Sequence, residues 1–389
     1  MNSVRILMAT LLAVALSTVA CTKNKNSADG GVTANESDVI RVGEVGSMTG
    51  AQANFGTSTH KGIELAVEEL NAQGGIKGKQ IKLISIDDQG KPEEAALAVT
   101  KLITQEKVVA ILGEVASKIS KAMAPIAQQY KIPMVSPSST DPAVTAFGDY
   151  IFRVCFIDPF QGYVMAKFAT ETLKIKRVAI LRDVANDYSV GLADVFKETF
   201  TKMGGTIVED KNYSANDMDF KSQLTSIRTK NPEAIFVPGY YGDVASIARQ
   251  ARKDLGMKIP LLGGDGWDAP ELFEIAGDSI AGSYFSNHYS VEDKSPRIQD
   301  FVNNFRKKHN EVPDGLAAMG YDAMLVLADA MKRATDLSPA KIRDALAATK
   351  DFQAVTGVIT IDEKRNASKP AVVLKVEEKG YKYQTTVMP

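Results

Sequence analysis

The sequence predicts an α/β fold made of two doubly wound parallel sheets, each with helices on both faces. Three observations predict it. From Val39 to about residue 270, short runs rich in Val, Ile and Leu alternate with amphipathic helical stretches, and alternation of that kind gives parallel strands joined by helical crossovers. The alternation restarts at Arg177, so the architecture is used twice. The chain has 389 residues, 44% of them hydrophobic, which exceeds what one core holds, since single cores stop growing at roughly 250–300 residues.

The elements follow in order. "VIRVGEV" is the first strand. "STHKGIELAVEELNAQGG" is a helix in which Ile63, Val67 and Leu70 share a face and Gly74 or Gly75 ends it. "IKLISI" is the second strand. "KPEEAALAVTKLITQ" opens a helix with Pro92 in the first turn, followed by Glu93 and Glu94, which suit the positive end of the helix dipole. "VVAILG", "IPMVS" and "YIFRV" continue the strands, with a helix from about Lys118 to Tyr130. The second round has strands "RVAILR", "GGTIVE", "AIFVPG" and "IPLLGG", with helices near Val190–Met203, Phe220–Thr229 and Val244–Leu255. "AGSYFSNHYS" adds a strand, and three helices follow in "SPRIQDFVNNFRKKH", "GLAAMGYDAMLVLADAMKRA" and "SPAKIRDALAAT". The tail ends in "VTGVITID" and a hairpin, "AVVLKVEEKGYKYQTTV", turning at Glu378–Gly380.

Residues 1–20 have the layout of a secretory signal peptide: Arg5, an apolar run from Ile6 to Leu16, then small residues to Ala20. The run is too short for a comfortable membrane span. "STVAC" resembles the lipobox of bacterial lipoproteins, which implies a lipid on Cys21 and an exported protein held at a membrane, in the periplasm or at the cell surface. Residues 21–38 are almost free of apolar side chains and read as a flexible tether. Cys155, between Val154 and Phe156, reads as an inert buried thiol.

Composition excludes several function classes. A net charge of −1 leaves no basic footprint for nucleic acid. The cysteines, Cys21 and Cys155, and the histidines, His60, His288 and His309, show no metal-ligand spacing. No P-loop or nucleophile elbow appears, and His288 has no nucleophile at a recognisable spacing. The sequence therefore predicts no metal, no cofactor and no enzyme.

Ligands of open α/β sheets bind beyond the carboxyl ends of the strands, so the residues after each strand carry the functional reading. "EVASK" brings Ser117, "PSSTDP" brings Ser138, Ser139 and Thr140, and "DVANDYSVG" brings Tyr188. "YYGD" brings Tyr240, and "DGWD" brings Asp265 and Trp267, the only tryptophan. The first round offers hydroxyls and a helix start, which suit an anion such as a carboxylate. The second offers an acid and aromatic rings, which suit a cation with an apolar body. An α-amino acid has all of these features, and glycines around Asp265 would let the backbone approach it. Taken singly, Ser117 reads as a helix cap, Ser138 to Thr140 as a turn between prolines, and Asp265 as a cap for a helix near Pro270. Five strand ends with matching chemistry outweigh those readings.

From Val39 onward the chain resembles the leucine/isoleucine/valine-binding proteins, solute receptors of branched-chain amino-acid ABC transporters. The stretches that carry the resemblance are "VGEVGSMTGAQANFG", "GIELAVEELNAQGGIKGKQIKLISIDDQGKPEEA", "PMVSPSSTDP", "NDYSVG" and "GGDGWD". The resemblance implies type I periplasmic-binding-protein topology: two lobes, 39–157 plus 287–355 and 158–286 plus 356–389, joined by three crossovers and closing on the ligand. It assigns the α-carboxylate and α-ammonium to Ser117, Ser138 and Thr140, with Ser139 in the same loop. Tyr188, Tyr240 and Asp265 come from the second lobe, and Phe55 and Leu316 shape the side-chain pocket. It also implies permease partners in the membrane. The sequence departs from the pattern where Asp265 stands for a glutamate and Phe55 for a tyrosine. Gly90 and Ala116 occupy the positions of a disulfide found in some relatives. The ligand is expected to be an amino acid with an aliphatic or aromatic side chain, and Trp267 beside the acid points to an aromatic one. The alternatives are a ligand-binding sensor subunit, or a receptor for another small carboxylate or amide.

Overall fold

The structure, a computed structural model, describes residues 39–215 and 217–389. The signal peptide, Cys21 and the tether lie outside the described residues. The first sheet contains β1 (Val39–Gly46), β2 (Gln80–Asp87), β3 (Ala110–Leu112), β4 (Met134–Ser136) and β5 (Ile151–Arg153). All are parallel, in the order β2-β1-β3-β4-β5. Its crossovers are α1 (Ala53–Ala72), α2 (Pro92–Thr104), α3 (Ser117–Tyr130) and the short α4 (Ala143–Ala146). Ile63, Val67 and Leu70 of α1 pack on one face, and Val99 and Leu102 of α2 with Ile119 and Met123 of α3 on the other. The sheet is therefore covered on both sides, which is why its strands read as continuous apolar runs.

The second round gives α5 (Asp158–Lys167), β6 (Arg177–Asp183), α6 (Asp187–Lys202), β7 (Thr206–Tyr213) and α7 (Lys221–Thr229). β8 (Ala234–Phe236), α8 (Tyr241–Arg249), β9 (Leu261–Gly263), α9 (Glu271–Ala276) and β10 (Tyr284–Asn287) complete it. The strands run β7-β6-β8-β9-β10, the same order as in the first sheet. Leu192 and Phe196 of α6 cover one face, and Val244 of α8 and Leu272 of α9 the other.

The chain then returns to the first lobe as α10 (Pro296–His309), α11 (Gly315–Arg333) and α12 (Pro339–Ala347). Phe301 and Phe305 of α10 and Met324 and Leu327 of α11 join the core formed with α1. A small antiparallel sheet follows, β11 (Phe352–Ala354), β12 (Gly357–Ile361) and β13 (Ala367–Ser368). The hairpin β14 (Ala371–Val376) and β15 (Tyr381–Val387) adds two antiparallel strands to the edge of the second sheet beside β10.

Two details differ from the sequence reading. The last crossing was placed near Val355, but Ile359, Ile361 and Ala367 pack in the first core, and the chain joins the second sheet only at Ala371. A period of two in "GVITI" says that one face is buried, not which lobe buries it. In addition, α1 begins at Ala53 rather than near Ser58, which places Phe55 in its first turn.

Candidate functional site

Because both sheets share one strand order, each has its switch point between the first and third strands of its round. The loops beyond β3, β4, β6, β8 and β9 converge there. They enclose a small cavity, with about 260 Å³ of space between the atoms, lined by Phe55, Val115, Ser117, Ser138, Thr140, Tyr188, Tyr240, Asp265, Gly266 and Leu316. Eight of the ten positions proposed from the sequence are therefore brought together. Leu316 arrives by another route, at the start of α11.

The wall from the first lobe is polar. Ser117 is the first residue of α3, whose N-cap is Ala116 and has no side-chain cap bond, so Ser117 is not the cap. Its Oγ accepts a hydrogen bond from the Asp141 amide at 3.2 Å. Ser138 and Thr140 are buried beside it. Hydroxyls at the N-terminus of a 14-residue helix form a site suited to an anion.

The wall from the second lobe centres on Asp265, which is 4% exposed. Asp265 caps no helix: α9 has Pro270 as its N-cap, without a side-chain bond. Tyr188 donates from its hydroxyl to Asp265 Oδ1 at 3.0 Å. Gln161 Oε1 accepts from the Asp265 amide at 2.8 Å, and the Ser286 hydroxyl also donates to that oxygen, at 2.9 Å. His288 Nε2 lies 2.9 Å from Asp265 Oδ2. Across the cleft the Ser138 hydroxyl is 3.5 Å from the same carboxylate oxygen. Tyr188 stacks on Tyr240, with ring centroids 5.4 Å apart, and Phe55 meets Tyr240 edge-on at 5.2 Å. Burial pushes both tyrosine hydroxyls far above their ordinary pKa, so they stay neutral donors.

Two positions do not line the cavity. Trp267 is fully buried, its Nε1 donating to the Val237 carbonyl at 3.0 Å and its ring stacked near Phe285. Ser139 Oγ turns into the first lobe, within hydrogen-bond reach of Ser120 and the carbonyls of Glu114 and Val115. Both are packing residues of the loops that carry the site. The glycine-rich turn has a different purpose from the one expected. A Cβ on Gly263 would sit 2.1 Å from the Trp267 ring, and one on Gly264 2.5 Å from the Tyr188 hydroxyl. These glycines make room for protein rings, whereas Gly266 does reach the cavity.

The sequence reading missed Gln161 and His288 as partners of Asp265. Neither carries a local signal, because they lie 104 and 23 positions away along the chain. Asp158 was read only as the point where the chain crosses to the second lobe. Burial pushes its carboxyl up to about 8, with the Asp265 charge adding to the effect, and its Oδ2 has no hydrogen-bond partner. Cys155 is buried, donates to the Ser139 carbonyl at 3.3 Å and is pushed up to about 12 by burial, which keeps it an unreactive thiol. Among the described residues no group of three or more His, Cys, Asp or Glu is placed to hold a metal, and no helix is long and apolar enough to cross a membrane.

With the geometry in place, comparison with known proteins gives a consistent result. The family model described as periplasmic binding protein matches residues 39–381. A Leu/Ile/Val-binding protein homolog of Brucella melitensis is 31% identical over 85% of this chain and 89% of its own length. A leucine-binding protein of Thermotoga maritima superposes with a TM-score of 0.85 at 41% identity, covering 90% of this chain and 99% of that one. A branched-chain amino acid transporter substrate-binding protein of Streptococcus pneumoniae, in complex with isoleucine, gives 0.86 at 36% identity over 90% and 100%. A solute-binding protein from R. palustris in complex with 4-hydroxybenzoate also matches, with a TM-score of 0.83 at 25% identity over 90% and 97%.

Proposed function

The chain belongs to the periplasmic binding protein family, and from that premise we propose that it captures an amino acid with an aliphatic or aromatic side chain and hands it to an ABC importer. The observation that carries this reading is the opposition of two walls. Asp265 and the Tyr188 hydroxyl face Ser117 at the start of α3 and Ser138 and Thr140 in the loop after β4. An α-ammonium pairs with the first set and an α-carboxylate with the second. Phe55, Val115, Tyr240 and Leu316 enclose the side chain. A buried carboxylate without a cation costs several kcal/mol, which an ammonium offsets.

In this reading the first lobe comprises 39–157 and 287 to about 369, and the second 158–286 with the terminal hairpin. The protein is exported through its signal peptide, held by lipid on Cys21 and tethered by residues 22–38. Its protein partners are the permease subunits. The relative with bound 4-hydroxybenzoate supports a second reading, a small aromatic carboxylate. Asp265 separates the two, since a ligand without an ammonium leaves that charge unpaired. Calorimetric titration with L-leucine, L-isoleucine, L-phenylalanine, 4-methylpentanoate and 4-hydroxybenzoate tests the choice. Binding of at least one amino acid well above both des-amino acids is expected. Preference for a carboxylate that lacks the ammonium overturns it.

A further inference from the structure

We propose that His288 is a positioning residue for Asp265: it holds the acid toward the ligand's ammonium, and a proton on its ring competes with that ammonium. The inference rests on the proposed amino-acid function and adds a regulation to it.

His288 does not line the ligand cavity. It stands behind Asp265, its side chain fully buried, with Nε2 2.9 Å from Asp265 Oδ2. The ring is fixed from the other side by Phe156, stacked at 4.1 Å between centroids and 25° between planes. Asp265 is held at Oδ1 by Tyr188 and at its amide by Gln161. The bond from His288 completes a three-point mount for a side chain one methylene shorter than glutamate.

The tautomer follows from the partners. Nε2 faces a carboxylate and so carries the hydrogen, while Nδ1 is buried and has no hydrogen-bond partner. A second proton on Nδ1 would be a buried donor with no acceptor. Burial accordingly holds the imidazole below its ordinary pKa, against the opposing pull of Asp265. Other charges reach the ring from neighbouring elements. Lys369, between β13 and β14, opposes protonation and is pushed down to about 8 by burial, while Asp322 of α11 favours its charged form. Asp158 at the start of α5 and Asp265 act on each other, and Arg153 at the end of β5 opposes the rise of the Asp158 carboxyl.

At neutral pH the ring is thus neutral, and Asp265 presents a net negative charge to the cavity. Once His288 is protonated, Asp265 has an internal counter-ion and gains less from an external one. By linkage, an ammonium at Asp265 makes the ring harder to protonate by the same factor. An amino acid is therefore bound best above the pKa of His288, and a des-amino acid is penalised least below it.

The test compares L-leucine and 4-methylpentanoate on the wild type and His288→Gln, whose amide keeps a donor near the Nε2 position but cannot titrate. Between pH 7.5 and 5, wild-type affinity for leucine is expected to fall by about two- to fivefold, short of the tenfold limit for one unit of pKa coupling because burial holds His288 below its ordinary pKa. The ratio of leucine to 4-methylpentanoate affinity should fall with it. His288→Gln should keep the pH 7.5 affinity within about threefold and lose most of the pH slope. A wild-type profile that is flat, or one that His288→Gln reproduces, overturns the inference. Should the variant not fold, calorimetry of leucine binding to wild type near pH 6 in buffers of different ionisation enthalpy decides: proton release supports it, and none overturns it. Failure of leucine, isoleucine and phenylalanine alike to bind at any pH removes the amino-acid function itself, and the inference with it.

Discussion

At the scale of single residues, the cleft is a set of buried charges whose partners decide what it accepts. Asp265→Asn keeps shape but removes the charge that an ammonium needs, and replaces one of the two accepting oxygens with an amide donor. It is expected to weaken amino-acid binding by about 2–5 kcal/mol, the loss typical of truncating one partner of a buried charge pair, while a des-amino acid loses little. Trp267 packs two residues from the acid and is expected to report both titrations by fluorescence. Asp158 provides a separate test of stability. Its carboxyl is raised to about 8 in the folded protein, against roughly 3.9 unfolded. A raised acid contributes its stability fully below the unfolded value and loses it as pH rises through the folded one. Denaturation midpoints should therefore fall between about pH 4 and pH 8, and Asp158→Asn should reduce that slope, to which Glu114 and Asp314 also contribute, and stabilise the protein by about 1–3 kcal/mol at pH 8. An unchanged slope would show that another group governs it. The site was legible in the sequence as far as backbone position goes. Residues just past strand ends could be picked out because topology sends all those ends to one place. Side-chain direction could not, so Trp267 and Ser139 were counted with the site although both turn into cores, and Gln161 and His288 went unseen.

At the scale of elements, the most demanding contact is between α1 and α11. Gly62 lies so close to the neighbouring helix that a Cβ would sit 1.9 Å from the Ala317 carbonyl oxygen, and on the other side one on Gly320 would sit 2.3 Å from the Thr59 carbonyl oxygen. Gly62→Ala would gain up to about 1 kcal/mol in helix propensity, but the overlap is with backbone, which cannot rotate away. Overlap wins, and a net loss of about 1–3 kcal/mol in urea or thermal unfolding is expected. Gly242 in α8 is the control, since nothing lies within 4 Å of its Cβ position. There alanine should be neutral or stabilise by up to about 1 kcal/mol. Equal effects at both sites would mean that helix propensity rather than the close approach governs. The elements themselves were largely legible, because period and turn residues act locally. Partnership was less so: "GVITI" gives a strand in either lobe, and Phe55 joins α1 across a polar, glycine-containing first turn that hides the helical period.

At the scale of the whole molecule, the two lobes meet face to face across the cleft. Lys121 of α3 pairs with Asp187 of α6, and the Tyr241 hydroxyl donates to the Ala51 carbonyl at 3.0 Å. Ser138 and Asp265 approach to 3.5 Å. The remaining cavity is small, so in the proposed function a ligand is expected to enter while the lobes are apart and to be enclosed when they meet. Closure then rests on two contributions of unequal size. The clasp is an ion pair in which Lys121 is 22% exposed and Asp187 49% exposed, and such surface pairs contribute about 0.2–1 kcal/mol. A ligand at a hundredfold excess over its Kd contributes about 2.7 kcal/mol. The ligand is therefore expected to govern closure and the clasp only to trim it. Small-angle scattering should show a more compact protein with saturating amino acid than without. Lys121→Ala should shift the ligand-free protein toward the open form, leave the saturated form as compact as wild type, and weaken Kd by no more than about fivefold, the fold-change equivalent of 1 kcal/mol. A Lys121→Ala protein that stays open at saturation would make the clasp, rather than the ligand between Asp265 and Ser117, the element that holds the lobes together.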